Sequence, residues 1–307
     1  MLHQFILTLF TMGNKERAFL PPRVFAGLGP PYSDLGKAKA VILPVPYDST
    51  TEWRSGTREG PQAIIDASQY LEFYDLELDR EVYKVGIHTL PLVEPVMSSP
   101  KDMIERVYQI SKELIQRDKF IVMFGGEHSL SLGTVRAFKE KWADKLSVLQ
   151  LDAHADLRGK YLGTKYGQAC VMRRICELCP IIQVGLRSLA LEEKQFLDQN
   201  KMQPFYMSDL ASNTVSVKQI VAETRENVYV TIDVDIFDPS IMSAVGTPEP
   251  GGMQWQEVLD IISSVALHRN IVGFDLMEFC PREGPASCAF LLAKLAYKLI
   301  GYAIQQG

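Results

Sequence analysis

Short apolar runs rich in β-branched residues recur along the chain and predict eight strands. They cover residues 38–44, 82–88, 119–124, 146–151, 181–185, 203–207, 227–232 and 270–276. Several of these runs are apolar almost throughout, instead of alternating between apolar and polar residues. That pattern is typical of strands that are covered on both faces, as in a parallel sheet.

Segments with the period of an α-helix lie between these runs. In residues 100–117, apolar side chains recur every three or four positions, as on one face of a helix. The other predicted helices cover residues 61–70, 130–142, 190–200, 215–226, 254–268 and 285–305. Because strands and helices alternate, the pattern predicts one doubly wound α/β domain over residues 38–307, preceded by an N-terminal arm over residues 1–37.

The apolar segment 2–12 resembles the core of a signal peptide in length. No basic residue precedes it, no small-residue cleavage site follows it, and it is shorter than the roughly 20 residues that span a bilayer. We interpret it as a packing arm, or as residues upstream of a start at Met12.

Composition narrows the class of protein. The chain has 307 residues, 32 Lys and Arg against 37 Asp and Glu, and 47% apolar residues. Such a chain has enough apolar surface to fold, and its net charge of −5 disfavours a nucleic-acid partner. Five cysteines are too few for a disulfide scaffold and fit a cytoplasmic protein. We therefore expect a small-molecule substrate, with no nucleic acid or membrane as partner.

Histidines and carboxylates follow four of the predicted strands. In an open parallel sheet, ligands bind beyond the carboxyl ends of the strands, so these side chains are expected to meet at one edge. The candidates in chain order are His128, Asp152, His154, Asp156, Asp233, Asp235 and Glu278.

The spacing of these residues points to metal chemistry. In an extended backbone residues two apart project to the same side, as in Asp152-x-His154-x-Asp156 and Asp233-x-Asp235. A single such motif is typical of a surface turn. Here, three polar segments each follow a predicted buried strand, and core packing does not explain them, because unpaired carboxylates are not buried in a core. Two imidazoles and four carboxylates suit Mn²⁺, Fe²⁺, Co²⁺, Ni²⁺ or Zn²⁺, and two divalent ions would neutralise the four carboxylates. A pair of ions about 3.5–4 Å apart is a common device for hydrolysis.

Five sequence segments resemble the ureohydrolase family, and its agmatinase branch more than arginase. They are FGGEHSLS at 124–131, LDAHADLR at 151–158, TIDVDIFDPS at 231–240, GTPEPGG at 246–252 and GFDLME at 273–278. The resemblance implies a three-layer α/β/α fold with an eight-stranded parallel sheet. It also implies two Mn²⁺ ions, hydrolysis of a guanidino compound to urea and an amine, and a homo-oligomer, trimeric or hexameric.

The same resemblance implies the roles of individual residues. His128, Asp152, Asp156 and Asp233 would hold one ion, and His154, Asp152, Asp233 and Asp235 the other. A hydroxide that bridges the ions would attack the guanidinium carbon. Asp156 would also orient this hydroxide, and Glu278 would bind the guanidinium nitrogens. Residues 246–252 would flank the substrate.

Two departures from the family pattern bear on activity. Gln168 stands where the family usually has a histidine that passes a proton to the leaving amine, and glutamine cannot carry that proton. Arg158 is followed by Gly159 and Lys160, where close relatives often have Asp-Glu that could attract an amine tail. We place Arg158 at the substrate and Trp53 at the pocket rim.

Several hypotheses follow for the reaction. Agmatine is the first candidate substrate, which would place the protein in polyamine biosynthesis with putrescine as product; aminopropylagmatine and guanidino acids follow. A catalytically weak or inactive metal-binding relative is the alternative that Gln168 suggests. A one-zinc deacetylase on the same fold is disfavoured by the second aspartate pair, Asp233 and Asp235.

Overall fold

A parallel sheet of eight strands forms the centre of the molecule. The computed structural model describes residues 22–304. The sheet consists of β1 (Ala40–Val45), β4 (Ile87–Thr89), β5 (Phe120–Gly125), β6 (Leu146–Leu151), β7 (Ile181–Leu186), β8 (Phe205–Tyr206), β9 (Asn227–Asp233) and β10 (Asn270–Met277). Their spatial order is β4-β1-β5-β10-β9-β6-β7-β8, and every neighbouring pair is parallel. A separate hairpin pairs β2 (Tyr74–Asp75) with β3 (Arg80–Glu81).

Helices cover both faces of this sheet. They are α1 (Gly60–Ser68), α2 (Pro100–Gln116), α3 (Ser131–Trp142), α4 (Val171–Ile175), α5 (Leu191–Gln199), α6 (Met207–Ala211), α7 (Val217–Glu223), α8 (Trp255–His268) and α9 (Ala286–Ala303). Because successive strand residues point to opposite faces, the apolar strands feed two separate cores. One core packs α1, α7, α8 and α9, and the other packs α2, α3, α4 and α5. The predicted three-layer α/β/α class is confirmed.

Two predicted strands are shorter than the apolar pattern suggested. Residues Val82–Val85 form a 3₁₀ turn, which ends at Gly86 with a φ of 78°. Strand β8 ends at Tyr206, and Met207 begins a short helix. Sequence periodicity also missed α4, which at five residues is too short to show a helical period.

The described part of the predicted N-terminal arm packs onto the domain. Phe25, Ala26 and Leu28 are buried in the core that lies against α9. The interpretation of residues 2–12 concerns a segment outside the described residues. Within residues 22–304, α9 is the one helix whose length and composition would allow it to cross a membrane, and 67% of it is buried in this fold.

The carboxyl ends of the four central strands are level with one another. In the register, Leu276 of β10 lies beside Phe124 of β5 and Ile232 of β9, and Ile232 lies beside Leu151 of β6. The loops that follow β5, β10, β9 and β6 therefore leave the sheet side by side. This arrangement places the candidate ligands together at the centre of one sheet edge.

Candidate metal centre

His128 lies at the centre of a group of carboxylates. Its Nδ1 is 3.2 Å from an oxygen of Asp152 and 3.3 Å from oxygens of Asp156 and Asp233. The side chain is buried, and Nδ1 has no hydrogen-bond partner among the described residues. The opposite ring nitrogen, Nε2, is 2.8 Å from the Thr231 hydroxyl, which fixes the plane of the ring. One nitrogen and three oxygens that converge in this way form a ligand set for a divalent ion.

A second group of donors adjoins the first and shares Asp152 with it. Nδ1 of His154 is 2.8 Å from Oδ2 of Asp235 and 3.8 Å from Oδ1 of Asp152. Asp152 therefore directs Oδ2 to His128 and Oδ1 to His154, as a carboxylate that bridges two ions would. Asp233 lies between the groups, because its Oδ2 faces His128 and its Oδ1 accepts from the Asp235 backbone N–H at 3.0 Å. All six residues predicted as ligands thus lie in one cluster.

The pKa values of the cluster residues are shifted because several buried carboxylates lie close together. Burial and the neighbouring Asp233 raise the pKa of Asp152 well above its usual value. Burial and Asp235 raise the pKa of Asp233 to about 7. Burial lowers the pKa of His154, but the Asp235 carboxylate outweighs this effect and brings it to about 11. Without bound cations the cluster thus holds protons, and two divalent ions would replace them.

Metal binding is expected to reverse the effect of pH on stability. The raised pKa values of Asp233 and His154 mean that the metal-free native state binds more protons than the unfolded chain. Its free energy of unfolding therefore falls as the pH rises, from about 4 to 7 for Asp233 and from about 6.5 to 11 for His154. A divalent ion that occupies the cluster would replace these protons, so added Mn²⁺ should raise the melting temperature more at about pH 8 than at about pH 6.

Calorimetry on protein with excess Mn²⁺ and on protein stripped by a chelator tests this expectation. Mg²⁺, which prefers an all-oxygen shell, serves as the control and should give a smaller shift. An equal Mn²⁺ shift at the two pH values would contradict the assignment of these protons to the ligand cluster.

Glu278 forms one wall of a cavity of about 240 Å³ that opens beside the cluster. The backbone N–H of His128 donates to its Oε1 at 2.6 Å, and no hydrogen bond among the described residues reaches its Oε2. Burial and Asp233 raise the pKa of Glu278 well above its usual value, and a cation beside it would favour the charged form. Both Glu278 and Asp156 adopt a positive φ, 63° and 53°, a strained backbone that recurs at functional sites.

Of the other residues predicted at the substrate, two line the cavity and one does not. Gln168 and Arg158 line the same cavity as Asp156 and Glu278. The Thr50 hydroxyl accepts from the backbone N–H of Gln168 at 3.1 Å. Trp53 is 73% exposed, and its position at the rim stays a prediction.

Glu127 holds a loop next to the cavity, although the sequence patterns did not assign it a role. Its buried carboxylate accepts from the backbone N–H groups of Ser49 and Thr50 at 2.5 and 2.6 Å, and from the hydroxyls of Thr50 and Ser129 at 2.8 and 2.5 Å. It thereby holds the loop that contacts Gln168. The signal in the sequence is Gly126, where a Cβ would come within 1.9 Å of the Tyr47 carbonyl oxygen; only glycine allows Glu127 to approach this loop.

Comparison with known proteins agrees with this geometry. The model of the arginase family matches residues 38–301. The chain belongs to the arginase family. It is 36% identical over 301 residues to an N(1)-aminopropylagmatine ureohydrolase of Synechocystis sp., with 95% of each chain covered. It is 32% identical to an agmatinase of Pyrococcus horikoshii, with 88% of this chain and 94% of the relative covered.

Solved structures of the family show the same fold. The agmatine ureohydrolase of Thermoplasma volcanium matches with a TM-score of 0.80 and 31% identity, over 87% of this chain and 90% of that one. The similarities confirm the predicted family and the prediction of a hydrolase that acts on C–N bonds of amidines, with guanidino compounds as substrates. Arginase-family membership implies a dinuclear divalent metal site, and the donor cluster fits one.

Proposed function

We propose that this protein hydrolyses N(1)-aminopropylagmatine to urea and the corresponding triamine, with agmatine as the second candidate. The observation that carries the proposal is the cluster of six candidate ligands, which opens into a cavity with Glu278 on its wall. The relative from Synechocystis, named for aminopropylagmatine, supports the longer substrate. The relative from Pyrococcus, named for agmatine, supports the shorter one.

In this proposal, Glu278 binds the guanidinium group and Asp156 accepts a proton. Oε2 of Glu278 accepts hydrogen bonds from the guanidinium N–H groups, a charge-assisted contact, while the backbone N–H of His128 holds Oε1 in place. Asp156 lies both among the ligands and on the cavity wall, so its carboxylate can accept a proton from the attacking water. Two divalent ions, Mn²⁺ in this proposal, would lower the pKa of that water when bound.

Urea release from a panel of guanidino compounds tests the substrate. The Mn²⁺-loaded protein is assayed with N(1)-aminopropylagmatine, agmatine, arginine and a guanidino acid. We expect the highest kcat/KM with aminopropylagmatine and the lowest with the acid, because the cavity wall is rich in carboxylates. A preference for the guanidino acid would contradict the proposal. Two bound ions with no urea from any compound would favour the weak or inactive metal-binding relative.

Restoring the histidine at position 168 is expected to speed turnover. Gln168 lines the cavity but has no proton to transfer, and a positioned general acid is worth about 10²–10⁴-fold. Gln168→His should therefore raise kcat by about tenfold or more and add a pH dependence near about 6.5. Gln168→Asn keeps the amide and serves as the control. An unchanged kcat with every substrate in the panel would show that proton transfer to the amine does not limit turnover.

The proposal also covers the location, pathway and oligomeric state of the protein. We place the protein in the cytoplasm, in polyamine biosynthesis, as a trimer or hexamer. Sedimentation of the purified protein tests the oligomeric state.

A further inference from the structure

Two glutamines lie side by side on neighbouring strands near the β8 edge of the sheet. Gln150 of β6 and Gln183 of β7 are neighbours in the strand register, and both are buried. Their strands are otherwise mostly apolar, and a buried amide is costly unless it is hydrogen-bonded. Gln150 lies two residues before Asp152, so both side chains project to the same face of the strand. The pair therefore adjoins the metal cluster.

The amides form a directed chain that ends on Asp152. Nε2 of Gln183 donates to Oε1 of Gln150 at 2.6 Å, and Nε2 of Gln150 donates to Oδ2 of Asp152 at 2.7 Å. Nε2 of Gln150 also lies 3.3 Å from the carbonyl oxygen of His154. Because Gln183 donates to the Gln150 oxygen, the Gln150 amide is held with its NH₂ group toward Asp152.

The other oxygen of Asp152 is held from the opposite side. The backbone N–H of His154 donates to Oδ1 at 2.6 Å. Each oxygen of Asp152 thus accepts one hydrogen bond from the protein and faces one histidine, Oδ2 toward His128 and Oδ1 toward His154. Carboxylate oxygens have lone pairs for both contacts. Gln183 also donates to the Ala155 carbonyl at 2.8 Å, which ties the ligand loop to β7.

We propose that Gln150, oriented by Gln183, is a positioning residue that sets the plane of Asp152, so that one oxygen faces His128, the other faces His154, and the carboxylate would be available to both ions of a two-ion site. A neutral amide suits this place because it donates to the carboxylate without adding charge to the cluster. The inference rests on the two-ion site of the proposed function and is independent of which substrate the protein cleaves.

Mn²⁺ titration of the full-length protein, stripped with a chelator, tests this role. Gln150→Met fills a similar volume with a flexible side chain but removes the donor. We expect Mn²⁺ affinity to fall by about 10–100-fold, the range for partners of metal ligands. Gln183→Met keeps the Gln150 amide but removes the hydrogen bond that orients it, so the loss of Mn²⁺ affinity should be smaller. Asn227→Leu serves as the control, because Asn227 is a buried amide on β9 at the opposite end of the sheet, and Mn²⁺ affinity should be unchanged.

Electron paramagnetic resonance at two equivalents of Mn²⁺ gives a second readout. Wild type should show the signal of a coupled pair, and Gln150→Met should shift toward isolated Mn²⁺. Wild-type affinity and spectrum in a folded Gln150→Met variant would overturn the proposal. If that variant does not fold, Gln183→Met decides, and wild-type affinity there would overturn it. If the wild-type protein does not bind a pair of ions, the proposed role of Gln150 is overturned as well. If it binds the pair but releases no urea, only the proposed function is contradicted.

Discussion

Replacing Asp152 with Ala is expected to lower urea release by about 1,000-fold or more. Asp152 is the carboxylate that faces both His128 and His154, so its loss removes a donor from each candidate ion site. Metal ions contribute several kcal/mol of transition-state stabilisation in such reactions, and each 1.4 kcal/mol is about a tenfold change in rate. Urea release and metal content per chain are measured on the same preparation of Asp152→Ala.

The matched control for Asp152 is an aspartate far from the site. Asp260→Asn changes an exposed carboxylate on α8 and should leave both urea release and metal content unchanged. An Asp152→Ala variant with two bound ions and more than a tenth of wild-type activity would refute the assignment of Asp152 as the shared ligand.

Replacing Glu278 with Gln is expected to lower kcat/KM by about 10²–10³-fold. The variant keeps the shape of the side chain but loses the charge that would face the guanidinium. Truncating one partner of a buried, hydrogen-bonded charge pair costs about 2–5 kcal/mol. Metal content should be unchanged, because Glu278 is not among the six candidate ligands. Steady-state kinetics and metal analysis together separate a defect in substrate binding from a defect in metal binding.

The control for Glu278 is a surface glutamate. Glu105→Gln removes an exposed carboxylate that pairs with Arg136 at 2.9 Å, and exposed pairs contribute little to stability. Loss of metal from Glu278→Gln would instead assign Glu278 to the ligand cluster, and kinetics equal to wild type would place the guanidinium elsewhere in the cavity.

The six candidate ligands could be predicted from sequence because their placement is local. Asp152, His154 and Asp156 follow a buried strand within five residues. The expectation of an extended backbone there was wrong, because these residues lie in a loop where Asp156 has a φ of 53°, and Asp235 lies in a 3₁₀ turn. The alternation of strands and helices then places all such strand ends at one edge of the sheet. The structure brings the predicted ligands together at this edge.

The contacts that support the ligands could not be predicted in this way. Glu127 reaches Ser49 and Thr50 across 78 and 77 residues, and Gln183 reaches Gln150 across 33. In the sequence, Gln150 is one of two polar residues, with Ser147, in an otherwise apolar run, and no local pattern indicates what it contacts. Its role depends on the identity of the neighbouring strand.

The sequence by itself determined the fold class, the family resemblance and the candidate ligands, because hydrophobic period and short sequence motifs act over a few residues. The tertiary structure decided which strands are neighbours. The order β5-β10-β9-β6 places Glu278 against the backbone of His128, 150 residues away. The pairing of β6 with β7 brings Gln150 and Gln183 together beside Asp152. Strand order depends on how helices pack over the whole sheet, and no local pattern of residues encodes it.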